Sequence, residues 1–285
     1  MNSRRDVANY YDRNTWRFLR FGGGGSSHAI HRQLWGPGIT TAEAAAGYVN
    51  RRVAEEIRGR FPQGPGDVID MGCGVGGTVF HLAGAFPNAR FVGVTISPRQ
   101  RDIAVRLTKE RDLEERCRFL EGDFQNTDLG GVADLIVAIE AFVHSDSPQR
   151  FFAAAAAHLN EGGFAILVDD FLADNSDVGE AARGHIAKLR EGWRLPTLCM
   201  VDECVRSAEL YGLRLIREVD LTELIRLGRP RDRLIAFMSP LFDRLGLTRL
   251  PFFGNMVGGN ALQIGLRHGF LRYHLVLFQK EARSP

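Results

Sequence analysis

The sequence is poor in cysteine and has no long apolar run. Its 285 residues include four cysteines, at positions 73, 117, 199 and 204, and none of them belongs to a CxxC pair. That pattern indicates neither a disulfide framework nor a zinc site and is typical of a reducing compartment. No stretch reaches the ~18 apolar residues that a membrane span requires, and the N-terminal residues have no apolar core. We therefore expect a cytoplasmic protein with no membrane partner.

Net charge is also small. Lysine and arginine total 36 against 34 for aspartate and glutamate, which gives a formal charge of +2. A chain this balanced lacks the basic surplus that binding to a polyanion requires, so we expect a small-molecule substrate and no nucleic-acid partner. Hydrophobic residues make up 45% of the sequence, as in an ordinary globular protein with a large core. Composition leaves open whether subunits form a homodimer.

Short apolar segments alternate with helical patterns from residue 67 onward. Ser97 and Pro98 supply a cap and a first-turn residue for one predicted helix, over 98–115. This alternation predicts an α/β fold, a doubly wound, seven-stranded, mostly parallel Rossmann-like sheet with helices on both faces. The predicted strands are 67–71, 90–95, 118–123, 133–139, 163–168, 213–221 and 271–279.

Three segments are longer than connections in such a fold need. We expect residues 1–62 to form an N-terminal helical cap over the mouth of the sheet. Residues 63–285 would then form the main domain, with cap insertions at about 171–200 and 222–269.

A glycine-rich turn follows the first predicted strand. Gly72, Gly74 and Gly76 come directly after Asp70 and before a helical pattern. In a doubly wound sheet this is where a nucleotide-like ligand binds, although glycines at this point are also compatible with a tight turn alone. A dehydrogenase would carry an acid at the end of the second strand to hold ribose, and Thr95 stands there instead. The sequence therefore disfavours a nicotinamide cofactor.

Two further features follow the glycine turn in order: Gly122-Asp123 after the third strand and 139–144 after the fourth. With Asp70 and the glycines, they make residues 60–170 resemble the class I S-adenosylmethionine-dependent methyltransferases. The resemblance implies that the turn approaches the methionine part of the cofactor and that Asp123 bonds the adenine amino group.

Residues 93–100 look like the GxTxSxxQ segment of the subgroup that contains tocopherol and cyclopropane fatty acid methyltransferases. In that subgroup the segment serves ribose and adenine. The full set of expected cofactor residues is Asp70, Gly72, Gly74, Gly76, Thr95, Ile96, Ser97, Gln100, Asp123, Phe124 and Glu140.

Polar residues at the carboxyl ends of the fourth and fifth strands are candidates for the substrate site. Glu140 and His144 follow the fourth strand, and Asp169 and Asp170 follow the fifth. His144 titrates near neutrality and could act as a base, or it could help to close the cofactor pocket. The two aspartates could face developing charge, or they could simply solvate the end of a strand.

The first 38 residues concentrate aromatic and basic side chains beside four glycines, at 22–25. Backbone N–H groups and guanidinium groups both bind phosphate well, so this segment is a candidate anion site; the alternative is a solvated arm that packs on the core. The expected substrate-binding residues are Tyr11, Arg17, Arg20, His31, Arg32, Trp35, Phe142 and Phe171.

This segment, with 259–263 and 271–273, is similar to bacterial C-methyltransferases that act on geranyl or farnesyl diphosphate. The resemblance implies attack by an alkene, a carbocation stabilised by aromatic rings, and loss of a proton. Mg²⁺ could bridge the diphosphate. Candidate rings are Trp35, Trp193, Phe142 and Phe171, and candidate proton acceptors are Asp170 and Glu140.

Two other functions stay open at this point. An O- or N-methyltransferase would use His144 or an aspartate to deprotonate a phenol, an amine or another natural-product scaffold. A non-catalytic module would bind the cofactor without turning it over.

Overall fold

A seven-stranded sheet forms the centre of the computed structural model, which describes residues 31–174 and 179–282. The strand order is β3-β2-β1-β4-β5-β7-β6; β1 to β5 are parallel, and β7 runs antiparallel to both of its neighbours. The chain order therefore reverses between β1 and β4, which creates a crevice at the carboxyl ends of these strands. The strands are β1 (Asp67–Met71), β2 (Arg90–Thr95), β3 (Cys117–Glu121), β4 (Ala133–Ile139), β5 (Leu159–Leu172), β6 (Leu213–Asp220) and β7 (Leu271–Lys280).

Helices cover both faces of the sheet. Ser97 accepts a hydrogen bond from the backbone of Gln100 (3.1 Å) and Ser147 from that of Arg150 (3.2 Å), so each begins a helix that has proline in its first turn. The described helices are α1 (Ala42–Ala46), α2 (Tyr48–Arg58), α3 (Gly77–Ala85), α4 (Pro98–Lys109), α5 (Pro148–Ala157), α6 (Glu180–Trp193), α7 (Val201–Glu209), α8 (Pro230–Arg244) and α9 (Pro251–His268). The α/β, doubly wound, mostly parallel fold expected from the sequence is confirmed.

Two predicted boundaries were wrong. The helix expected over 98–115 ends at Lys109, because Asp112 takes a left-handed backbone conformation (φ 54°) that a helix cannot continue through. The fifth strand, expected over 163–168, runs from Leu159 to Leu172, because β7 pairs with it as far as Leu172. Asp169 and Asp170 therefore lie within the strand rather than after it.

The two segments expected as cap insertions contain helices that pack on each other. In α6 Gly192 lies so close to α9 that a Cβ atom on it would stand 2.3 Å from the carbonyl oxygen of Gly254. The division into a cap of residues 1–62 and a main domain stays a prediction, since residues 1–30 lie outside the described part. Across residues 31–174 and 179–282, no helix is long and apolar enough to cross a membrane.

The glycine turn after β1 gives a direct test of the packing at the crevice. A Cβ atom at Gly72, where φ is 99°, would lie 2.4 Å from the Cβ of Ala141. We expect Gly72→Ala to lower the free energy of unfolding by about 2 to 4 kcal/mol, because it adds both strain and overlap. Urea denaturation measures this. Gly84→Ala in α3 is the matched control, since a Cβ there meets nothing within 4 Å and should be neutral or stabilising; equal effects of the two variants would contradict the argument.

Candidate cofactor and substrate site

The turn between β1 and α3 is built from three glycines in left-handed conformations. The φ angles are 99° at Gly72, 55° at Gly74 and 90° at Gly76, which is the residue before α3. A side chain at Gly76 would overlap the rings of Phe119 and Phe80, each 2.8 Å from an added Cβ. The backbone N–H groups of Gly72 and Gly76 donate to the carbonyl oxygens of Val94 (3.0 Å) and Cys73 (2.9 Å). The turn thus places bare backbone at the amino end of α3, where the first N–H groups of the helix lack intrahelical partners and suit a ligand.

Asp70 is the last but one residue of β1 and is 4% exposed. Its Oδ2 atom accepts no hydrogen bond from any described residue. Burial raises the pKa of Asp70 to about 7. An isolated carboxylate is costly to bury, so the geometry suits a cationic ligand beside the glycine turn. S-adenosylmethionine carries an ammonium and a sulfonium group, and the residues present therefore fit it.

The segment after β2 is tied together by its own side chains. The hydroxyl of Thr95 donates to Oε1 of Gln100 (2.8 Å), and the backbone N–H of Ser97 donates to the Thr95 hydroxyl (3.3 Å). Thr95, Ser97 and Gln100 are all buried, while Ile96 is partly exposed. The side-chain oxygen Oε1 of Gln100 thus already accepts a hydrogen bond within the protein. The expected contacts of this segment with ribose and adenine stay a prediction.

Asp123 lies two residues beyond the end of β3 and is partly exposed. Its Oδ1 accepts from the backbone N–H of Gln125 (2.9 Å), and its Oδ2 accepts from Nδ2 of Asn126 (3.0 Å). These bonds fix the loop and orient the carboxylate at the crevice edge. Phe124 follows, with its ring edge-on to Phe151 at 5.7 Å. The roles of both residues toward adenine stay predictions.

Glu140 is the residue directly after β4 and has an unusual backbone. Its φ is 52°, a left-handed value that a non-glycine residue adopts only at a cost of about 1 to 3 kcal/mol. Its Oε1 accepts from the backbone N–H of Arg32 (2.9 Å) and from the hydroxyl of Tyr273 (2.9 Å). Its other oxygen, Oε2, accepts no hydrogen bond within the described residues. This left-handed backbone turns the chain at Glu140, so its side chain does not continue the alternation of β4.

Tyr273 is a functional candidate that the sequence reasoning missed. It is fully buried on β7, directly opposite Asp170 of β5, and burial raises the pKa of its hydroxyl well above the ordinary value. The hydroxyl therefore stays protonated and donates to Glu140. The signal in the sequence was its place in the segment 271–273, which carried part of the resemblance but gave Tyr273 no role of its own.

Arg32 forms a two-pronged ion pair with Asp170. Nη1 and Nη2 each donate to one carboxylate oxygen, and the guanidinium lies over the rings of Tyr273 (4.8 Å) and Trp193 (5.8 Å). Burial raises the pKa of Asp170, and the neighbouring Arg32 opposes that shift. Arg32, expected as a phosphate ligand, is therefore already paired with a carboxylate, and Asp170, expected as a free proton acceptor, is already engaged.

Asp169 and His144 hold the short 3₁₀ turn Phe142–His144 in place. Asp169 accepts from the backbone N–H of Val143 (3.2 Å), and burial raises its pKa well above the ordinary value. Nδ1 of His144 lies 3.2 Å from the carbonyl oxygen of Arg194. Burial lowers the pKa of His144, so the imidazole is neutral near pH 7 and donates through Nδ1.

Three of the aromatic rings expected to face the substrate contact other side chains of the protein. The guanidinium of Arg226 lies 3.6 Å above the ring of Trp35. Phe142 and Phe171 are fully buried and stack on each other at 5.9 Å. Phe142 and Phe171 therefore pack within the protein, while Trp35 is partly exposed and has Arg226 over its ring. The role of these three rings beside a cation stays a prediction. Trp193 is partly buried and donates from Nε1 to the carbonyl oxygen of Asn255 (3.0 Å); its role beside a cation stays a prediction.

His31 also faces inward. Its Nε2 lies 2.8 Å from the hydroxyl of Thr78 in α3, which in turn donates to Asn50 (3.0 Å), and burial lowers the pKa of His31. A neutral, internally bonded imidazole is a poor phosphate ligand. Tyr11, Arg17, Arg20 and the glycines at 22–25, expected in the same anion site, lie outside the described residues.

A cavity of about 380 Å³ lies between α6, α8 and α9. His185, Lys188, Arg233 and Arg267 contribute to its lining, and none of the expected site residues does. The cap helices thus enclose a space separate from the glycine turn.

Residues 68–163 match the family model described as "Methyltransferase domain". The chain has the class I methyltransferase fold. Norajmaline N-methyltransferase from Rauvolfia serpentina is 30% identical over 147 residues, which cover 49% of this chain and 48% of that protein. The chain spans about half the length of the curated relatives it matches.

Two solved structures show the same methyltransferase fold over nearly the whole chain. Geranyl diphosphate methyltransferase in complex with geranyl diphosphate and sinefungin superposes with a TM-score of 0.75 at 17% identity, covering 97% of this chain and 98% of the other. Cyclopropane synthase MmaA2 from Mycobacterium tuberculosis gives 0.74 at 17% identity, covering 98% and 99%. These two structures show that the fold extends over nearly the whole chain.

Asp70 should make the stability of the ligand-free protein depend on pH. The carboxyl group is protonated up to about pH 7 when folded and ionises near pH ~4 when unfolded. Its contribution to stability is therefore full below pH ~4 and is lost as the pH rises toward ~7. We expect the free energy of unfolding of the parent chain, relative to Asp70→Asn, to fall by about 2 to 3 kcal/mol between pH ~5 and ~7.5, measured by urea denaturation.

Asp128→Asn, on the exposed loop after β3, is the control for this comparison. Other buried carboxylates contribute equally to the pH dependence of unfolding in all three proteins, so their effect cancels in the comparison. The same pH slope in the parent chain and in Asp70→Asn would show that Asp70 is not the group responsible.

Proposed function

We propose that this protein transfers a methyl group from S-adenosylmethionine to a small molecule, and that the acceptor is an alkene carbon of a prenyl diphosphate such as geranyl or farnesyl diphosphate. The observation that carries the methyl-transfer proposal is the buried carboxylate of Asp70 beside the three-glycine turn, whose Oδ2 has no hydrogen-bond donor among the described residues. That arrangement suits a cationic ligand at the point where the strand order reverses. The methyltransferase-domain match over residues 68–163 supports it.

When bound, the cofactor supplies an electrophilic methyl group on a positively charged sulfur. Asp70 and the N–H groups at the start of α3 would hold its amino-acid part, because no cationic side chain of the described residues shifts the pKa of Asp70. Asp123 would bind the adenine amino group from the loop after β3. Thr95, Ile96, Ser97 and Gln100 would line the ribose side, with Phe124 beside adenine.

Glu140 is the proton acceptor that the geometry favours. Two donors hold its Oε1, and its Oε2 has no hydrogen-bond donor among the described residues. Asp170 is less suited, since Arg32 engages both of its oxygens. Glu140 therefore has a lone pair available for a proton from the substrate, and Tyr273 fixes its orientation.

An alkene acceptor fits this arrangement of charges. An alkene needs no base before it is methylated, but the cation that results must be stabilised and must lose a proton. Asp169 and Asp170, which are buried, and Glu140, which is partly buried, bring three carboxyl groups together at the ends of β4 and β5, where Arg32 pairs with Asp170. Such a centre favours a positively charged intermediate, and Trp193 would add a ring face. The fold neighbour that binds geranyl diphosphate supports this choice of acceptor.

The diphosphate itself would bind away from these carboxylates. Because Arg32 is paired, Arg17 and Arg20 remain as its proposed partners, with Mg²⁺ entering together with the substrate. Among the described residues no group of three or more histidine, cysteine, aspartate or glutamate side chains is arranged to hold a metal ion. Any Mg²⁺ would therefore depend on the oxygens of the diphosphate.

A second candidate is O- or N-methylation of a phenol or amine. The observation that favours it is His144, whose imidazole is neutral near pH 7 because burial lowers its pKa. A neutral imidazole can accept a proton from an acceptor hydroxyl or ammonium group before methyl transfer.

Asp123 provides the test of cofactor recognition. We expect Asp123→Ala to weaken S-adenosylmethionine binding by about tenfold, since a hydrogen bond to a charged group contributes about 1.5 kcal/mol. Isothermal titration calorimetry measures it. Asp128→Ala, on the same loop, is the matched control and should bind as tightly as the parent chain; an unchanged affinity in Asp123→Ala would reject the adenine role.

Incubation with S-adenosylmethionine and geranyl or farnesyl diphosphate, with and without Mg²⁺, tests the acceptor. We expect a product heavier by one methylene, detected by mass spectrometry. Glu140→Gln should keep cofactor affinity and lower kcat by about 10²- to 10⁴-fold, more than Asp170→Asn does. No prenyl product together with turnover of a phenol or amine, abolished by His144→Gln, would establish the second candidate instead.

A further inference from the structure

Helix α8 carries a row of large apolar side chains on its outer surface. Leu234 is 63% exposed, Phe237 81%, Leu241 46% and Leu245, the residue after the helix, 61%. Exposed apolar residues are ordinary when scattered singly, but a continuous row marks an interaction surface. We call these four residues the α8 row.

The opposite side of α8 is packed on the protein. Ser239 and Phe242 are buried, and the ring of Phe242 lies 4.8 Å from that of Phe253 at the beginning of α9. The row is therefore not a core face left open by a misplaced helix. The inner side of α8 already packs on α9, and the apolar side chains of the α8 row point outward.

Arginines flank the row on both sides. At about 100° of rotation per residue, the four apolar positions fall within about 80° of arc. By the same geometry Arg231 lies next to one edge of this arc, and Arg233 and Arg244 lie next to the other. This is the arrangement of a helix that lies in the plane of a membrane surface.

Positive charge is concentrated around the row. Residues 226–249 contain six arginines and two aspartates, a surplus of four positive charges in a chain whose total is +2. The rest of the chain is therefore slightly acidic. The total charge of the chain does not reveal this local concentration of positive charge, and the expectation of no membrane partner did not take it into account.

The arginines keep their charge available. Asp243 pairs with Lys188, and Asp232 accepts from the backbone N–H of Arg229. Within the described part of the chain, no carboxylate forms an ion pair with Arg226, Arg229, Arg231, Arg233 or Arg244. Arg226 lies over Trp35, and Arg229 and Arg233 donate to the uncharged oxygens of Gln33 and Gly228. An anionic surface could therefore bind these arginines without breaking an ion pair.

We propose that α8 binds the protein peripherally to a membrane that contains anionic lipids, with the α8 row in the interface and the flanking arginines on lipid phosphates. Arginine stems can lie along the apolar surface while their guanidinium groups reach the headgroups. A second copy of the chain is a poorer partner, because two such positively charged faces would repel each other. The proposal does not depend on the identity of the methyl acceptor.

Sedimentation with lipid vesicles tests the proposal on the full chain. We expect binding to vesicles of phosphatidylcholine mixed with phosphatidylglycerol to exceed binding to pure phosphatidylcholine by about tenfold or more, and to fall at high salt. Phe237→Ser together with Leu241→Ser should reduce binding by at least about tenfold. Arg231→Gln together with Arg244→Gln should reduce it mainly at low salt.

Leu210→Ser is the matched control, since Leu210 is 73% exposed at the end of α7, outside the row. It should bind vesicles like the parent chain, and circular dichroism should show all variants folded with nearly equal melting temperatures. Equal binding to neutral and anionic vesicles, or none to either, would overturn the proposal. So would a dimer, detected by light scattering, that Phe237→Ser and Leu241→Ser convert to a monomer, because the row would then be a subunit interface.

Discussion

The buried ion pair between Arg32 and Asp170 connects the segment before the first described helix to the centre of the sheet. The two residues are far apart in sequence, and their contact lies near the carboxyl end of β5. The backbone of Arg32 bonds Glu140, and its guanidinium lies over Tyr273 and Trp193, so one residue orders four others. Loss of one partner from a buried pair typically costs about 3 to 5 kcal/mol, because the remaining charge has no compensation. The shape of the candidate substrate site depends on this pair.

The charges around the crevice have a common sign. Asp70, Glu140, Asp169 and Asp170 are all at the carboxyl ends of central strands, where a parallel sheet gathers them, and Arg32 pairs with one of the four. Burial raises the pKa of Asp70, Asp169 and Asp170. A pocket of this kind is unfavourable to anions and favourable to cations. A sulfonium donor of the kind proposed above would suit such a pocket.

Sequence reasoning predicted the features that depend on neighbouring residues. The glycine turn, the Ser97 cap and the strands of β-branched residues follow from local backbone preferences, and the structure has all of them. It could not predict the Arg32–Asp170 pair or the Tyr273–Glu140 bond, since both depend on the register of strands distant in sequence. The spacing of the α8 row was visible in the sequence, but periodicity alone does not say whether an apolar stripe faces inward or outward. The packing of α8 on α9 decides which side of the helix faces the solvent.

The position of β7 affects the order in which the sheet can form. Among the described strands, β6 lies at the edge of the sheet and pairs only with β7, and β7 comes after α8 and α9 along the chain. During synthesis β6 therefore emerges from the ribosome before its neighbour exists, and it must wait while two helices follow it. Tyr273, which orients Glu140, arrives on that same last strand. A nascent chain can thus complete the half of the sheet that carries the glycine turn early, while the surroundings of Glu140 are delayed until β7 inserts between β5 and β6.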